Sequence, residues 1–395
     1  MKISALLRNA GLIVLGVVTA GLILEIVVRT FHLGSGGFWE PHPTYGWRNI
    51  PDASGWESCL GECSVYVEIN SKGLRDREIP YKVAGEQRRI LLLGDSMTAG
   101  MQVPLEQTFG KVLERNLNEG LGTAQWEVLN GAVNAFGTDN ELLFFRYEGY
   151  KYQPDLVVLG VYLANDIYNN KRELDLQSGG SSQKPYFVLN DSNELVLMNF
   201  PPDESTSVPV QLASFLKKHL QVTRFAAQIL QLRHEVPGIL QPLVGLFGGG
   251  RGVAASSPRG EDNRPSGDIC DEEYSAEIEE AWAITRALIK QLRVEVEGMG
   301  AGLAVLVIPA SPQLIPPFEG GGWYCERPNQ EFSALINEEG IPSLDLLMPF
   351  REQVLAGTPD LYYAKDFHMN QAGHRVAGEL LAEFVGGTMI SDGDG

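Results

Sequence analysis

The sequence has little positive charge, few histidines and few cysteines. Its 395 residues include 31 Lys and Arg against 50 Asp and Glu, which gives a formal net charge of -19 at pH 7. A nucleic-acid-binding surface is basic, so this balance argues against a nucleic-acid partner. We find neither a phosphate-binding glycine loop nor a metal-ligand spacing around the six histidines. We therefore expect chemistry that needs no cofactor and no metal.

The four cysteines leave more than one interpretation open. Cys59 and Cys63 stand close together in a glycine-containing turn, whereas Cys270 and Cys325 lie much further along the chain. In an oxidising compartment we expect each of these pairs to form a disulfide, although four cysteines allow three pairings. Free thiols are the alternative. A zinc site is a further one, disfavoured because no histidine stands near any of the cysteines.

A long apolar run occupies the N-terminus. Residues 9–28 form a segment of about 20 residues, roughly 30 Å long as a helix, which is enough to span a bilayer. Lys2 and Arg8 precede it, which favours a cytoplasmic N-terminus and a body outside the cytoplasm. We expect an uncleaved membrane anchor. A cleaved signal peptide, which would leave the body secreted, and a core helix are the alternatives.

Strands and helices alternate along much of the remaining chain. Apolar runs predict strands at 89–93, 126–130, 155–161, 302–308 and 343–346. Helical periodicity predicts helices at about 106–119, 141–152, 272–298, 328–338 and 371–386. This alternation indicates an α/β fold, with a parallel sheet and helices on both of its faces.

The same patterns divide the chain into segments. We expect an anchor or signal (1–29), an irregular extension (30–85), a sheet domain (86–388), an insertion within that domain (171–268) and a loose tail (389–395). The extension has one alternating stretch, 64–69. In the insertion, 186–189 and 194–197 predict a β-hairpin, and one or two helices follow between about 209 and 246. Residues 248–267 have the composition of a disordered linker.

A serine follows the first predicted strand of the sheet domain, in Gly94-Asp95-Ser96. Sites in open α/β sheets lie outside the carboxyl ends of the strands. A serine there exposes its hydroxyl, and its own N–H can point at a developing oxyanion. Taken alone the motif is weak, because Asp and Ser are also ordinary residues at the start of a helix.

An acid and a base stand together just before the last predicted helix. Asp366 and His368 are two residues apart, so one loop can deliver both. Histidine can take the proton of a serine, and a neighbouring carboxylate fixes its tautomer and stabilises its charged form. His374 is the rival base, but its place inside a helical run favours a structural role.

Two further stretches offer donors to an oxyanion. Asn165 follows the third strand, and its side-chain amide can donate. Ala135 and Gly137 lie in the turn after the second strand, where a backbone N–H can do the same. Helix capping and ordinary turn formation are the alternative roles of these residues.

Together and in this order, the four features resemble the SGNH, or GDSL-like, hydrolases. The resemblance covers about 64–170 and 300–388 and implies a flavodoxin-like α/β/α sandwich. It also implies Ser96 as the nucleophile and oxyanion donor, with Asp366 and His368 completing a triad. By the same resemblance, Asn165 is an oxyanion donor, and Ala135 or Gly137 is another.

The chain departs from the usual pattern at three places. Ala135 stands where a glycine is usual, Leu163 replaces another glycine, and Asp366 and His368 are one residue closer than is common. The short spacing resembles a membrane-anchored branch that includes polysaccharide O-acetyltransferases. The expected function is therefore a carbohydrate esterase or O-acyltransferase outside the cytoplasm. A lipolytic esterase is one alternative, and a non-catalytic glycan-binding or assembly protein is another.

Overall fold

A computed structural model describes most of the chain. The described residues are 2–31, 37–83, 85–120, 126–178, 180, 184–200, 208–223, 225–226, 269–314, 325–358 and 360–390. The predicted linker, 248–267, lies outside them, as does the predicted helical stretch beyond residue 226.

The chain begins with a long helix, α1 (Lys2–Thr30), in which Arg8–Thr30 is apolar enough to cross a membrane, with a mean hydropathy of 2.6. Two antiparallel hairpins follow it. Their strands are β1 (Trp39–His42), β2 (Gly46–Asn49), β3 (Ser54–Ser58) and β4 (Ser64–Glu68). The extension that we predicted to be irregular thus contains two hairpins, and aromatic and β-branched side chains of β1, β2 and β4 are buried in the core.

The remaining strands belong to a sheet and to one more hairpin. They are β5 (Arg88–Leu93), β6 (Trp126–Asn130), β7 (Leu156–Tyr162), β8 (Tyr186–Leu189), β9 (Leu195–Met198), β10 (Gly302–Ile308) and β11 (Ser343–Asp345). Strands β8 and β9 form the hairpin predicted in the insertion. The other five form a parallel sheet in the order β6-β5-β7-β10-β11.

Counted along the chain, this sheet has the strand order 2-1-3-4-5 of flavodoxin-like proteins. The order reverses between β5 and β7, so a crevice opens at the carboxyl ends of these two strands. The α/β fold class predicted from the alternation is confirmed.

The helices of the sheet domain lie on both faces of the sheet. They are α2 (Ser96–Ala99), α3 (Phe109–Gly120), α4 (Thr138–Tyr147), α5 (Asp166–Asn170), α6 (Arg172–Gln177), α8 (Ala276–Gly298), α9 (Arg327–Glu338), α10 (Leu347–Leu355) and α11 (Gln371–Phe384). Helix α7 (Val208–His219) lies in the insertion. Helix α4 starts three residues earlier than predicted, and a short 3-10 helix, Gly149–Tyr152, forms its predicted end.

Strand β5 shows why two layers of helices are needed. Leu91 and Leu93 face one core with α4, α8 and α9, whereas Ile90 and Leu92 face the other with α3, α10 and α11. Alternate side chains of a strand point to opposite faces, so a strand with consecutive apolar residues, as at 90–93, must be covered on both. Covering both faces holds the carboxyl ends of the strands in place.

The described part of the insertion contacts the C-terminal end of α1. The Glu25 carboxylate accepts backbone N–H groups of Gln221 at 2.9 Å and Val222 at 2.8 Å. Arg29 donates to the carbonyl of His219 at 3.0 Å. These contacts lie just beyond α7, so α1 and the insertion meet at the C-terminal end of the apolar run.

The structure contains two disulfides, Cys59–Cys63 and Cys270–Cys325. This is the pairing preferred from the sequence. The first closes the turn between β3 and β4, and the second joins the segment before α8 to the segment before α9. The zinc and free-thiol interpretations are therefore wrong for this structure.

Candidate active site

Ser96, His368 and Asp366 are joined by two hydrogen bonds at the crevice. His368 Nε2 lies 2.9 Å from Ser96 Oγ, and His368 Nδ1 lies 2.7 Å from Asp366 Oδ1. A carboxylate only accepts hydrogen bonds, so Nδ1 carries the proton and Nε2 accepts from the serine hydroxyl. His368 and Asp366 are buried, whereas Ser96 is half-buried. The serine hydroxyl is therefore the part of the series open to another molecule.

A tight turn before α2 holds Ser96. Gly94 has a φ of +154°, and a Cβ at this position would clash with the Thr98 side chain. A Cβ on Gly160 of the adjacent strand β7 would clash with the same side chain. The Asp95 carboxylate accepts the Met97 N–H at 2.8 Å and caps the start of α2. Thr98 thus packs between two strand backbones and fixes the turn.

The loop that carries Asp366 and His368 is folded back on itself. The Tyr363 N–H donates to the His368 carbonyl at 2.9 Å, and the Phe367 N–H donates to the Tyr363 carbonyl at 3.1 Å. Phe367 has a φ of +63°, a left-handed conformation that costs of order 1–3 kcal/mol in a non-glycine residue. This turn brings the side chains on either side of Phe367 together, which accounts for the short Asp-x-His spacing.

Two opposing effects set the pKa of His368. Burial lowers it, but the hydrogen bond and negative charge of Asp366, together with the negative charges of Asp95 and Glu57, raise it by more, so the pKa lies above its ordinary value of 6.5. The imidazole is therefore ready to accept a proton and is stabilised once it is charged.

His374 has a structural position. Its Nδ1 accepts the Phe109 N–H at 3.2 Å, at the start of α3, and its ring stacks near that of Phe109. Burial lowers the pKa of His374 to about 3, so the ring is neutral at neutral pH. Since it is His368 that lies against Ser96, the structure disfavours His374 as the base.

Asn165 lies beside the serine turn. Its Nδ2 donates to Asp95 Oδ2 at 3.1 Å, which orients the amide. An amide nitrogen has two N–H bonds, and this contact uses one of them. Asp166, next in sequence, accepts the Tyr162 N–H at 2.8 Å and holds the loop after β7. The role of Asp95 in orienting Asn165 was not predicted, because nothing in the sequence pairs two residues so far apart.

The structure distinguishes the two candidates for a further oxyanion donor. Gly137 has a φ of -107° and its N–H donates to Asn140 Oδ1 at 3.3 Å. Ala135 has a φ of +63°, the left-handed conformation in which a glycine is usual. Adopting it costs an alanine about 1–2 kcal/mol. This geometry favours Ala135, because the Gly137 N–H already has a partner.

A buried arginine braces the segment after α2. Arg75 is 1% exposed, and its guanidinium donates to the carbonyls of Ala99, Gly100 and Val103. The cluster 75–78 has the composition of a solvated or loop-bracing charge group, and the structure supports bracing. Sequence alone did not indicate which loop it would hold.

Three buried carboxyl groups lie on the helices that follow β6 and β7. Burial raises the pKa values of Glu141 and Asp166 well above the ordinary range, and the nearby charge of Asp95 raises them further. Asp139 is instead paired with Lys184, whose Nζ lies 2.9 Å from its Oδ2. Glu141 and Asp166 are therefore neutral over a wider pH range than usual, which limits the negative charge near Asp95.

Within the described ranges we find no cluster of three or more His, Cys, Asp or Glu side chains arranged to hold a metal ion. The hydrogen-bonded Ser-His-Asp series at the switch point of a 2-1-3-4-5 sheet is the arrangement of the SGNH-type ester hydrolases. In agreement with it, the family model for GDSL-like Lipase/Acylhydrolase matches residues 90–381. The chain belongs to this family, whose members are ester hydrolases. No curated protein matches the sequence.

Several solved structures are similar at low sequence identity. A two-domain esterase active on acetylated mannans is 10% identical, with a TM-score of 0.39; the match covers 77% of this chain and 50% of that one. An acetylxylan esterase from Geobacillus stearothermophilus, solved as a catalytic mutant, is 10% identical, with a TM-score of 0.38 and coverage of 77% and 96%. A lipase/acylhydrolase from Enterococcus faecalis is 13% identical, with a TM-score of 0.35 and coverage of 76% and 96%.

The raised pKa of Glu141 predicts a stability that depends on pH. The unfolded chain releases this proton at ordinary acidic pH and the folded chain does not, so the folded state loses stability as the pH rises. Glu141→Gln removes the titration. We expect it to raise the stability at about pH 8 by of order 1 kcal/mol and to change it little at about pH 4.

Thermal unfolding at both pH values measures this difference. Glu383→Gln, on the exposed side of α11, is the matched control and should change neither value. An equal effect of Glu141→Gln at both pH values would contradict the assignment of a raised pKa.

Proposed function

We propose that the protein is a serine ester hydrolase that acts outside the cytoplasm through an acyl-enzyme. Ser96 is the nucleophile, His368 the general base and Asp366 the group that orients it. The observation that carries this proposal is the continuous hydrogen-bonded series from Asp366 through His368 to Ser96. Its order and its proton positions are those that nucleophilic acyl transfer requires.

The reaction follows from these contacts. His368 Nε2 takes the proton of the Ser96 hydroxyl as Oγ attacks the ester carbonyl, and Asp366 stabilises the resulting imidazolium. The imidazolium then gives this proton to the leaving alcohol, and the acyl group stays on Ser96. Water, activated by the same imidazole, releases the acid and restores the serine. A sugar hydroxyl in place of water would make the protein a transferase.

The oxyanion that forms on the substrate needs donors that are already oriented. The proposed donors are the Ser96 N–H, the Asn165 amide and the Ala135 N–H. The contact of Asn165 with Asp95 supports this role, because it fixes the amide before substrate arrives. The left-handed conformation of Ala135 supports the third donor, since it reproduces the backbone of the usual glycine.

The proposed substrate is an ester on a glycan of the cell envelope or outside the cell. The anchor helix and the resemblance of the short Asp-x-His spacing to O-acetyltransferases support this class. An intact hydrogen-bonded series favours an enzyme over a non-catalytic binding protein. A lipid ester is the second candidate class, because an anchored site works close to a bilayer.

Hydrolysis of p-nitrophenyl acetate by the protein, beside Ser96→Ala, tests the chemistry. We expect the variant to lose at least about 10³-fold in kcat, because the nucleophile is gone. Equal activity of the two proteins would refute Ser96 as the nucleophile. Incubation with acetylated sugars, with free sugars plus an acyl donor, and with short-chain glycerol esters then separates esterase, transferase and lipase.

The contacts of α1 support an anchor that stays attached. Removal of a signal peptide at the end of the apolar run would also remove Glu25, the acceptor for two buried or half-buried N–H groups after α7. An N–H that loses its partner inside a protein costs about 1–3 kcal/mol. The proposed location is therefore a membrane surface, with the catalytic body on the outer side.

Membrane extraction tests this location. We expect the full chain to stay in the membrane pellet after an alkaline carbonate wash, and the body to be digested by protease added outside intact cells. A variant that starts at Gly37 is the control and should be soluble. If expression of the full chain gives a soluble product whose N-terminus lies beyond residue 30, the segment is a cleaved signal.

A further inference from the structure

The turn between β3 and β4 has a fixed shape. The Cys59–Cys63 disulfide closes it, the Cys59 N–H donates to the Cys63 carbonyl at 3.3 Å, and the Glu62 N–H donates to the Cys59 carbonyl at 2.7 Å. Leu60 and Gly61 both have left-handed φ angles, +47° and +86°. Few other conformations are open to a turn closed in this way, so the direction in which Glu62 leaves it is restricted.

The Glu62 carboxylate reaches the loop that holds the acid and the base. Its Oε1 accepts the Ala364 N–H at 3.1 Å, and its Oε2 accepts the N–H groups of Lys365 at 2.8 Å and Asp366 at 3.1 Å. Three successive backbone donors therefore point at one carboxylate. Hydrogen bonds to a charged acceptor are about twice as strong as neutral ones.

Other N–H groups of the loop have acceptors within it. The N–H groups of Tyr363, Phe367 and Asn370 donate to carbonyls of the same loop. The tip between Tyr363 and Phe367 is exposed at Ala364 and Lys365, and Glu62 is its acceptor from outside the loop. The last of the three peptides carries Asp366, so the contact fixes the backbone of the residue that orients His368.

We propose that Glu62 is a positioning residue. Its carboxylate holds the backbone of residues 364–366 so that Asp366 stays within hydrogen-bonding reach of His368, and the Cys59–Cys63 disulfide holds the turn that presents it. The inference rests on the proposed function, because it assumes that this pair works on Ser96. It assigns the N-terminal extension a part in the reaction that the sheet domain alone does not supply.

The role makes a prediction that a purely structural contact does not. Asp366 raises the pKa of His368, so a displaced Asp366 lets that pKa fall. The acid limb of the pH–rate profile should then move to lower pH in Glu62→Ala. We expect kcat to fall about 10–100-fold with KM nearly unchanged, since an error of about 1 Å in a catalytic group costs up to about 10²-fold.

Matched variants isolate the contribution of the Glu62 carboxylate to kcat and to the acid limb. Glu62→Gln keeps the shape but removes the charge and one acceptor oxygen, and it should show the same changes to a smaller extent. Glu62→Asp keeps the charge on a shorter stem and should recover part of kcat. Glu68→Gln, exposed at the end of β4, is the control and should match the wild type.

The disulfides provide a second comparison. The double variant Cys59→Ser with Cys63→Ser should lower kcat and move the acid limb in the same direction as Glu62→Ala. The double variant Cys270→Ser with Cys325→Ser removes the other disulfide and should leave the limb where it is. If the acid limb moves equally in the two double variants, the assigned role of the β3–β4 turn is contradicted.

The outcomes separate this inference from the function it rests on. All assays are run below the unfolding temperature of each variant. If Glu62→Ala does not fold, the kcat and acid limb of Glu62→Gln test the role of Glu62. An inactive Ser96→Ala together with wild-type kcat and acid limb in the Glu62 variants would overturn the role of Glu62 alone. Full activity of Ser96→Ala would overturn the proposed function as well.

Discussion

The hydrogen bond between Asp366 and His368 is the contact on which the site depends. It fixes the imidazole tautomer, raises the pKa of His368 against the effect of burial, and leaves Nε2 facing the Ser96 hydroxyl. Without it, a buried histidine has a lowered pKa, as His374 shows. Burial lowers the pKa of both histidines. At His368 the hydrogen bond to Asp366 and the charges of Asp366, Asp95 and Glu57 outweigh burial, whereas at His374 the charge of Arg75 lowers the pKa further.

Holding that hydrogen bond requires contacts from distant parts of the chain. The parallel sheet brings the ends of β5 and β7 together, and Thr98, Asp95 and Asn165 fix the turns that leave them. The acid–base loop contains a left-handed residue, Phe367, and donates three backbone hydrogen bonds to the Glu62 carboxylate. The site is thus assembled from the sheet domain and from the hairpins before it.

Much of the fold follows from local patterns in the sequence. Strands that are apolar at every position, separated by periodic helices, predict a parallel sheet, and the family match confirms the type. The hairpins of the extension were missed, because aromatic residues among glycines and prolines form strands only when the main body buries one of their faces. Such burial is a property of the packed molecule.

In the candidate site, too, sequence order predicts some features, whereas others depend on how the molecule packs. Placing Ser96 at a strand end and Asp366 and His368 in one loop needs only sequence order, and their catalytic roles stay predictions. The contacts of Glu62, Arg75 and Asp95 join segments up to about 300 residues apart. No local signal marks such partners. The sequence places a carboxylate, Glu62, inside a turn that a disulfide can close. It does not indicate which loop that carboxylate contacts.

The pH dependence of ester hydrolysis in Asp366→Asn tests the central hydrogen bond most directly. In the wild type, the acid limb should lie above the ordinary histidine pKa of 6.5. In the variant, we expect kcat to fall by about 10⁴-fold, as in the serine-protease triad, and the limb to move to lower pH. A variant with the wild-type rate and the wild-type limb would contradict the account.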